Sequence, residues 1–250
     1  YPKRKDEIGT LSSDIKSMSD DLKKRINELE EFAADVSHEL KNPLSNLKSS
    51  NDLLKKNNLN NKNKELLIKN IGEDIDRMNI LISDIANYTL TQVEISEEAF
   101  ETVELNSFLH EFKNSLNYNN LEVQIQSTKS EIYLKINKGK FVQVLHNLID
   151  NSLSYISDHS AILFDVNISI NNCVIHIVDQ GPGISLDYKN KIFERFYTDR
   201  KGKRKSHSGL GLSISKNIIL SFGGKIALVK NTHPGFEGAC FEIILPLKDS

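Results

Sequence analysis

Between Ile8 and Leu54 apolar residues recur mostly at steps of three and four: Ile8, Leu11, Ile15, Met18, Leu22, Ile26, Leu29, Phe32, Val36, Leu40, Leu44, Leu47 and Leu54. Such steps bring side chains onto one face of a helix, so the series predicts a long amphipathic helix. Successive steps of four around Leu22 and Ile26 drift from strict heptads and suggest a local stutter. A polar break, KKNNLNNKNK (Lys55–Lys64), precedes a second series with Leu67, Ile71, Ile75, Met78, Leu81, Ile82, Ile85 and Tyr88. Two long helices joined by a short polar loop form an antiparallel hairpin. One hairpin cannot bury such a stripe alone, and pairing two chains into a four-helix bundle is the economical solution.

Around Glu94–Phe100 this pattern ends in an acidic linker. Strand character then appears at Glu122–Gln126, Glu131–Ile136, Ile162–Ile170, Cys173–Asp179, Lys225–Val229 and Cys240–Pro246. Helical runs lie between them at Leu105–Leu116, Lys140–Tyr155 and Leu212–Phe222. This order predicts a sheet covered by helices, an α+β arrangement following an all-helical region. No internal repeat is present.

Composition narrows the class. A chain of 250 residues has room for more than one domain. With 32 basic and 34 acidic residues the net charge is −2, which gives no case for a nucleic-acid partner. Cys173 and Cys240, far apart in sequence, support neither a disulfide framework nor a cysteine metal knuckle, and fit a reducing compartment. No apolar run approaches the ~20 residues that span a bilayer, and no signal peptide is visible. The chain begins at Tyr1 rather than Met, as expected of a piece of a longer protein.

One stretch of the first helix carries unusual chemistry: VSHELKNPLSNL, Val36–Leu47. Pro43 lacks an N–H and its ring crowds the carbonyl of Glu39, so it bends the helix and loosens backbone hydrogen bonding there. His38 falls two residues from Val36 and two from Leu40, both on the stripe, and so points away from the seam into solvent. Asn42 follows one turn later and Glu39 flanks the imidazole. An exposed imidazole with a carboxylate to orient it fits a nucleophile, although a lone histidine reads first as a surface residue beside surface charges. The start HELKN suggests the zinc motif H-E-x-x-H, but Asn42 stands where the second histidine is required.

The second half offers three further constellations. Asn147 and Asn151 lie at i, i+4 on one helix, and carboxamide oxygens ligate hard cations such as Mg²⁺. VDQGPGIS (Val178–Ser185) sets Asp179 at a strand end before a tight glycine turn. SGLGLSISKNII (Ser208–Ile219) opens a helix with a glycine pair, a natural phosphate site. Each also has an ordinary reading as a turn or a polar helix face. Neither glycine motif matches a P-loop or G-x-G-x-x-G.

Together and in order, these motifs resemble those of the sensor histidine kinases of two-component systems. FAADVSHELKNPL resembles the H-box, NLIDNSLSYIS the N-box, DQGPG the first glycine box, KIFERFY (Lys191–Tyr197) the F-box and GLGL (Gly209–Leu212) the second glycine box. KDEIGTLSSDIKSMSDDL (Lys5–Leu22) resembles the second half of a HAMP linker. The resemblance implies three regions: the end of a HAMP linker at 1–27, a dimerisation and phosphotransfer hairpin at 28–93, and an α/β-sandwich ATP-binding domain of the Bergerat (GHKL) type at 101–250. It implies the cytoplasmic portion of a bacterial inner-membrane protein, with a membrane-spanning sensor upstream.

The resemblance also assigns roles. His38 becomes the phosphoacceptor, Glu39 its base or orienter, and Asn42 a group for dephosphorylating the partner. ATP and Mg²⁺ are the cofactors, with Asn147 on the metal and Asn151 assisting. Asp179 contacts the adenine amino group, Gly181 and Gly183 shape that pocket, and Tyr155 packs on the base. Arg195 neutralises phosphate charge. Gly209, Leu210, Gly211 and Leu212 approach the triphosphate, and Asp199–His207, with five Lys or Arg, forms a lid. The partners are a second copy and an aspartate-bearing response regulator. Ser154 and His207 depart from the family's usual lysine and glycine, which bears on rate. His110, His146, His159, His176 and His233 match no motif and are expected to be surface or satisfied residues. The alternatives are a non-catalytic signalling scaffold and an ATPase of the repair or chaperone kind.

Overall fold

The computed structural model describes residues 7–55, 60–93, 100–117, 121–129, 131–156, 160–198 and 208–248. Two compact units divide the chain, Tyr1–Asn79 and Ile80–Ser250. The lid expected at Asp199–His207, part of the polar break and most of the acidic linker lie outside the described residues.

In the first unit, α1 (Glu7–Leu54) runs without interruption through Pro43, and α2 starts at Asn61 and extends to Val93 in the second unit. Asn60 caps α2, its Oδ1 accepting the Asn63 N–H at 2.8 Å. The apolar stripe is uncovered in the single chain: Leu11, Met18, Leu22 and Leu29 are 59–72% exposed. No described helix is long and apolar enough to cross a membrane.

The second unit is an α/β sandwich. After the last turns of α2 come β1 (Glu101–Glu104), α3 (Leu105–Ser115), β2 (Glu122–Ser127), β3 (Tyr133–Ile136), α4 (Lys138–Leu153), β4 (Ala161–Ser169), β5 (Asn172–Val178), α5 (Gly211–Ser221), β6 (Lys225–Val229) and β7 (Cys240–Pro246). Among the described residues the main sheet has the order β2-β4-β5-β7-β6, with β2 parallel to β4 and the other neighbours antiparallel. The strand expected at Glu131–Ile136 is shorter and does not join it. Its residues Tyr133–Ile136 pair instead with β1, which the hydrophobic pattern does not reveal, in a separate two-stranded sheet.

Period-two alternation divides the main sheet into two faces. Phe164, Val166, Ile175, Ile177, Phe241 and Ile243 are all but completely buried on one of them. The helices contribute Phe112, Phe141, Leu145, Leu148 and Ile149 to the same core. Phe112 of α3 stacks on Phe164 of β4, and Phe108 on Phe141 of α4. Each such side chain contributes roughly 1.5–3 kcal/mol by leaving water. Glu104 fixes the start of α3: its carboxylate accepts the N–H groups of Asn106 and Ser107 at 3.1 and 2.6 Å. Partial burial pushes this carboxyl upward, but hydrogen bonds from Ser107, Asn106 and Ile132 outweigh that and hold it below the usual range.

On the opposite face the connection between β6 and β7 folds back over the sheet. Phe236 covers a small cluster of Ala161, Leu163, Val178 and Cys240. Burial pushes the thiols of Cys173 and Cys240 up to about 12. His176 and His233, expected to be surface or satisfied residues, are hydrogen-bonded here, with only His176 Nδ1 left without a partner among the described residues. Both are half-buried on this face and converge on Asp165. His110 is exposed, and His146 packs edge-on against Phe112 at 5.1 Å.

Candidate active site

In the first unit His38 and Asn42 are exposed, and Glu39 is half-buried. Pro43 is buried, so its ring does packing work while the helix continues through it. Glu39 is held by a residue that sequence reading missed. Arg77 of α2 donates to its Oε2 at 3.2 Å, with the two side chains 16% and 25% exposed. The pair is 38 positions apart, and nothing in the motif announces it.

In the second unit the arrangement centres on Asp179, which is 5% exposed just beyond the end of β5. Oδ1 accepts the N–H groups of Gly181 at 2.8 Å and Ala239 at 3.0 Å. Oδ2 accepts the Ser152 hydroxyl at 3.0 Å. A carboxylate has about four acceptor positions, so capacity remains for one donor from the cleft that Asp179 lines. The backbone of Asp179 is tied as firmly: its N–H donates to Ala239 and its carbonyl accepts from Gly238. Gly238 was missed from sequence. A Cβ there would lie 1.8 Å from Asp179 Oδ1, so no other residue fits.

Asn147 joins α4 to the start of α5. Its Nδ2 donates to the Gly211 carbonyl at 3.0 Å and to Ser215 Oγ at 3.2 Å. Both amide hydrogens are thereby used, and the carbonyl oxygen is left as an acceptor for a cation. Gly209 has φ +79, and a Cβ on it would meet the Phe196 carbonyl carbon at 2.6 Å. Phe196 itself has φ +60 and donates its N–H to the Gly209 carbonyl at 3.0 Å. The F-box and second glycine box are therefore clasped backbone to backbone on either side of residues 199–207. Ser208 Oγ accepts the Leu210 N–H and donates to Asp84 of α2.

A cleft of about 780 Å³ opens over these groups. Asn147, Asn151, Tyr155, Asp179, Gly183, Gly209, Gly211 and Leu212 line it, as do Asp84 and Asn87. Three of the residues predicted to hold the nucleotide are not among the lining. Gly181 stands behind Asp179 as a donor, Leu210 is fully buried beneath the glycine box, and Arg195 is half-buried elsewhere on the F-box segment. Ser154, which departs from the family pattern, lines the cleft while its Oγ donates to the Asp150 carbonyl.

Two family models match the chain. The His Kinase A (phospho-acceptor) domain covers residues 28–90, and the histidine kinase-, DNA gyrase B-, and HSP90-like ATPase covers residues 136–249. Sensor protein ChvG of Agrobacterium fabrum is 32% identical over the whole of this chain and 44% of its own length. Signal transduction histidine-protein kinase ArlS of Staphylococcus aureus is 28% identical over 96% of this chain and 53% of its own. The chain thus spans about half the length of the curated relatives it matches. Among solved structures, histidine kinase ThkA in complex with response regulator protein TrrA has a TM-score of 0.60, at 24% identity over 90% of this chain and 64% of that one. Acinetobacter baumannii histidine kinase AdeS has a TM-score of 0.56, at 20% identity over 85% of this chain and 98% of that one. At these identities the structural likeness bears on the fold.

Proposed function

Since the chain belongs to the sensor histidine kinases of two-component systems, we propose that it phosphorylates His38 from ATP and passes the phosphoryl group to an aspartate of a response regulator. What carries this reading is a conjunction within one chain. An exposed imidazole lies on the phosphoacceptor-type hairpin, and a cleft built on a buried carboxylate lies in the ATPase-type domain.

In this reading the remaining acceptor of Asp179 takes the adenine amino group, and Tyr155 lies along the base. The glycine box brings backbone N–H groups to the phosphates at the start of α5. The Asn147 carbonyl, its amide hydrogens already committed, fits Mg²⁺, which when bound supplies positive charge to the phosphates. A ring nitrogen of His38 attacks the γ-phosphorus in line, forming a P–N bond as the bond to the ADP oxygen breaks. Glu39, fixed by Arg77, holds the imidazole in orientation. The regulator's carboxylate then displaces the imidazole. Positioning and charge neutralisation dominate such transfers.

The uncovered stripe of α1 supports a homodimer, because a lone chain leaves that surface in water. The chain forms the cytoplasmic portion of an inner-membrane sensor whose other segments lie outside this sequence. Asn42, exposed one turn from His38, aligns water on the regulator's phosphoaspartate, which adds a phosphatase activity. Incubation with γ-labelled ATP and Mg²⁺ tests the main proposal. Acid-labile, base-stable label on the protein is the expected result; free phosphate alone would indicate an ATPase, and neither a scaffold. Asn147→Asp should impair Mg·ATP use, measured as nucleotide affinity and labelling together.

A further inference from the structure

The sheet face turned away from the helices carries a cluster that the kinase reading leaves unused. Asp165, His176 and Glu242 lie directly opposite one another on β4, β5 and β7. The loop between β6 and β7 adds His233. One ligand atom from each of Asp165, His176 and His233 falls within 4.8 Å of the others. The rings of His176 and His233 are 5.3 Å apart.

An acceptor behind each ring can take the proton of its outer nitrogen, which allows the nitrogen facing Asp165 to serve as a metal ligand. His176 Nε2 lies 3.2 Å from Glu242 Oε2 and can donate its proton there. That leaves Nδ1 as a lone pair, and among the described residues it is buried without a hydrogen-bond partner, 3.9 Å from Asp165 Oδ2. Buried polar atoms are nearly always satisfied, so an orphaned imidazole nitrogen aimed at a carboxylate needs an explanation. His233 differs in that its Nε2 already hydrogen-bonds Asp165, so a cation would replace the proton between them. Its Nε2 is 3.0 Å from Asp165 Oδ2, and its Nδ1 is 3.4 Å from Asn231 Oδ1. Asn231 is fixed as an acceptor there because its Nδ2 donates to the carbonyls of Phe236 and Gly238. Asn167 steadies Asp165 through an N–H donated at 3.0 Å.

From this geometry we infer that Asp165, His176 and His233 form a binding site for a zinc-class divalent cation. Glu242 and Asn231 hold the two imidazoles from behind, the usual support for metal-ligating histidines. Donors bound tetrahedrally at about 2.0–2.2 Å stand roughly 3.3–3.6 Å apart. The observed separations need only small side-chain movements to reach that. The fourth position stays open to water. Two imidazoles and a carboxylate suit zinc or its transition-metal neighbours and not Mg²⁺, which prefers oxygen donors in an octahedron. A cation here clips the β6–β7 loop to the sheet, away from the nucleotide cleft.

The test is titration of the metal-stripped full chain with Zn²⁺ alone by calorimetry, in parallel with His233→Ala and Asp165→Asn. His233 lies on a loop, so its removal spares the sheet core. The expected result is one site per chain with micromolar or tighter affinity, weakened at least about 10-fold in each variant. Co²⁺ in place of zinc should give visible absorption that His233→Ala abolishes. Absence of zinc binding below about 100 µM, or a change of less than 10-fold in both variants, would overturn the site and leave a hydrogen-bonded cluster.

Discussion

His38 stands in solvent on a helix, one turn from an Asn42 that is also exposed, whereas Asp179 is 5% exposed and held by three hydrogen bonds on its carboxylate alone. The first unit leaves much of its apolar stripe open and carries its proposed reactive groups on exposed positions. The second buries a continuous core and builds its cleft from the same atoms that hold the core closed. Chemistry and stability are separable in one and inseparable in the other. That contrast follows from the tasks proposed for each: an imidazole that must meet two different partners needs exposure, and a carboxylate that must recognise one base needs a fixed, dry setting.

Three substitutions and one chemical probe test this contrast. The largest effect is expected for His38→Gln, which should reduce acid-labile labelling to background. The free energies of nucleotide binding and of unfolding should stay within about 0.5 kcal/mol of the parent, as for surface changes generally. Label surviving on that variant would remove His38 from the mechanism. Gly238→Ala should act on both properties at once, because its Cβ meets Asp179 Oδ1 and backbone. A loss on the order of 3 kcal/mol or more in urea unfolding, with nucleotide binding falling in step, is expected. Stability lost without affinity, or the reverse, would contradict the shared construction.

Asn42→Ala should be selective. Most autophosphorylation is retained, while decay of a phosphorylated cognate regulator with ADP slows about 10-fold or more. Equal decay rates for variant and parent would leave Asn42 as a solvated helix residue. The smallest effect concerns the buried thiols. Burial raises Cys173 and Cys240 to about 12 in the folded chain, above the unfolded value of about 9. The stabilisation from keeping them protonated is therefore fully present below about pH 9 and is lost as pH rises toward 12. Iodoacetamide at pH 8 should modify neither cysteine until the chain is unfolded; rapid labelling of the native chain would show that the sheet opens.

Much of this architecture is legible in the sequence, because it rests on local regularities. The three-and-four spacing gives the helices, and alternation gives β2, β4, β5, β6 and β7 to within a residue or so. What escapes is set by distant contacts. β1 has four residues, too few to show a period, and two of them are acidic. It captures β3 by pairing, which no pattern within β3 reveals. Asp179 is readable from its glycine turn, but Gly238, equally necessary, sits in the plain run EGAC and is required only by close approach. Arg77 reaches Glu39 across the hairpin. The outer-face cluster is an intermediate case. Ile170 and Asn171 form a two-residue turn between β4 and β5, which sets Asp165 opposite His176 and could have been deduced. The pairing of β5 with β7 and the return of His233 could not.

The connection from β6 to β7 has a thermodynamic consequence. Within seven residues it runs from His233, on the outer face, to Gly238 and Ala239, whose backbone grips Asp179. Occupants of the two places therefore act on one short length of chain, and linkage makes their influence mutual. By whatever factor a cation at His233 alters affinity for nucleotide, nucleotide must alter affinity for the cation by that same factor. Measuring either one in the presence of the other gives the energy of communication through the sheet edge, with no need to know which moves first.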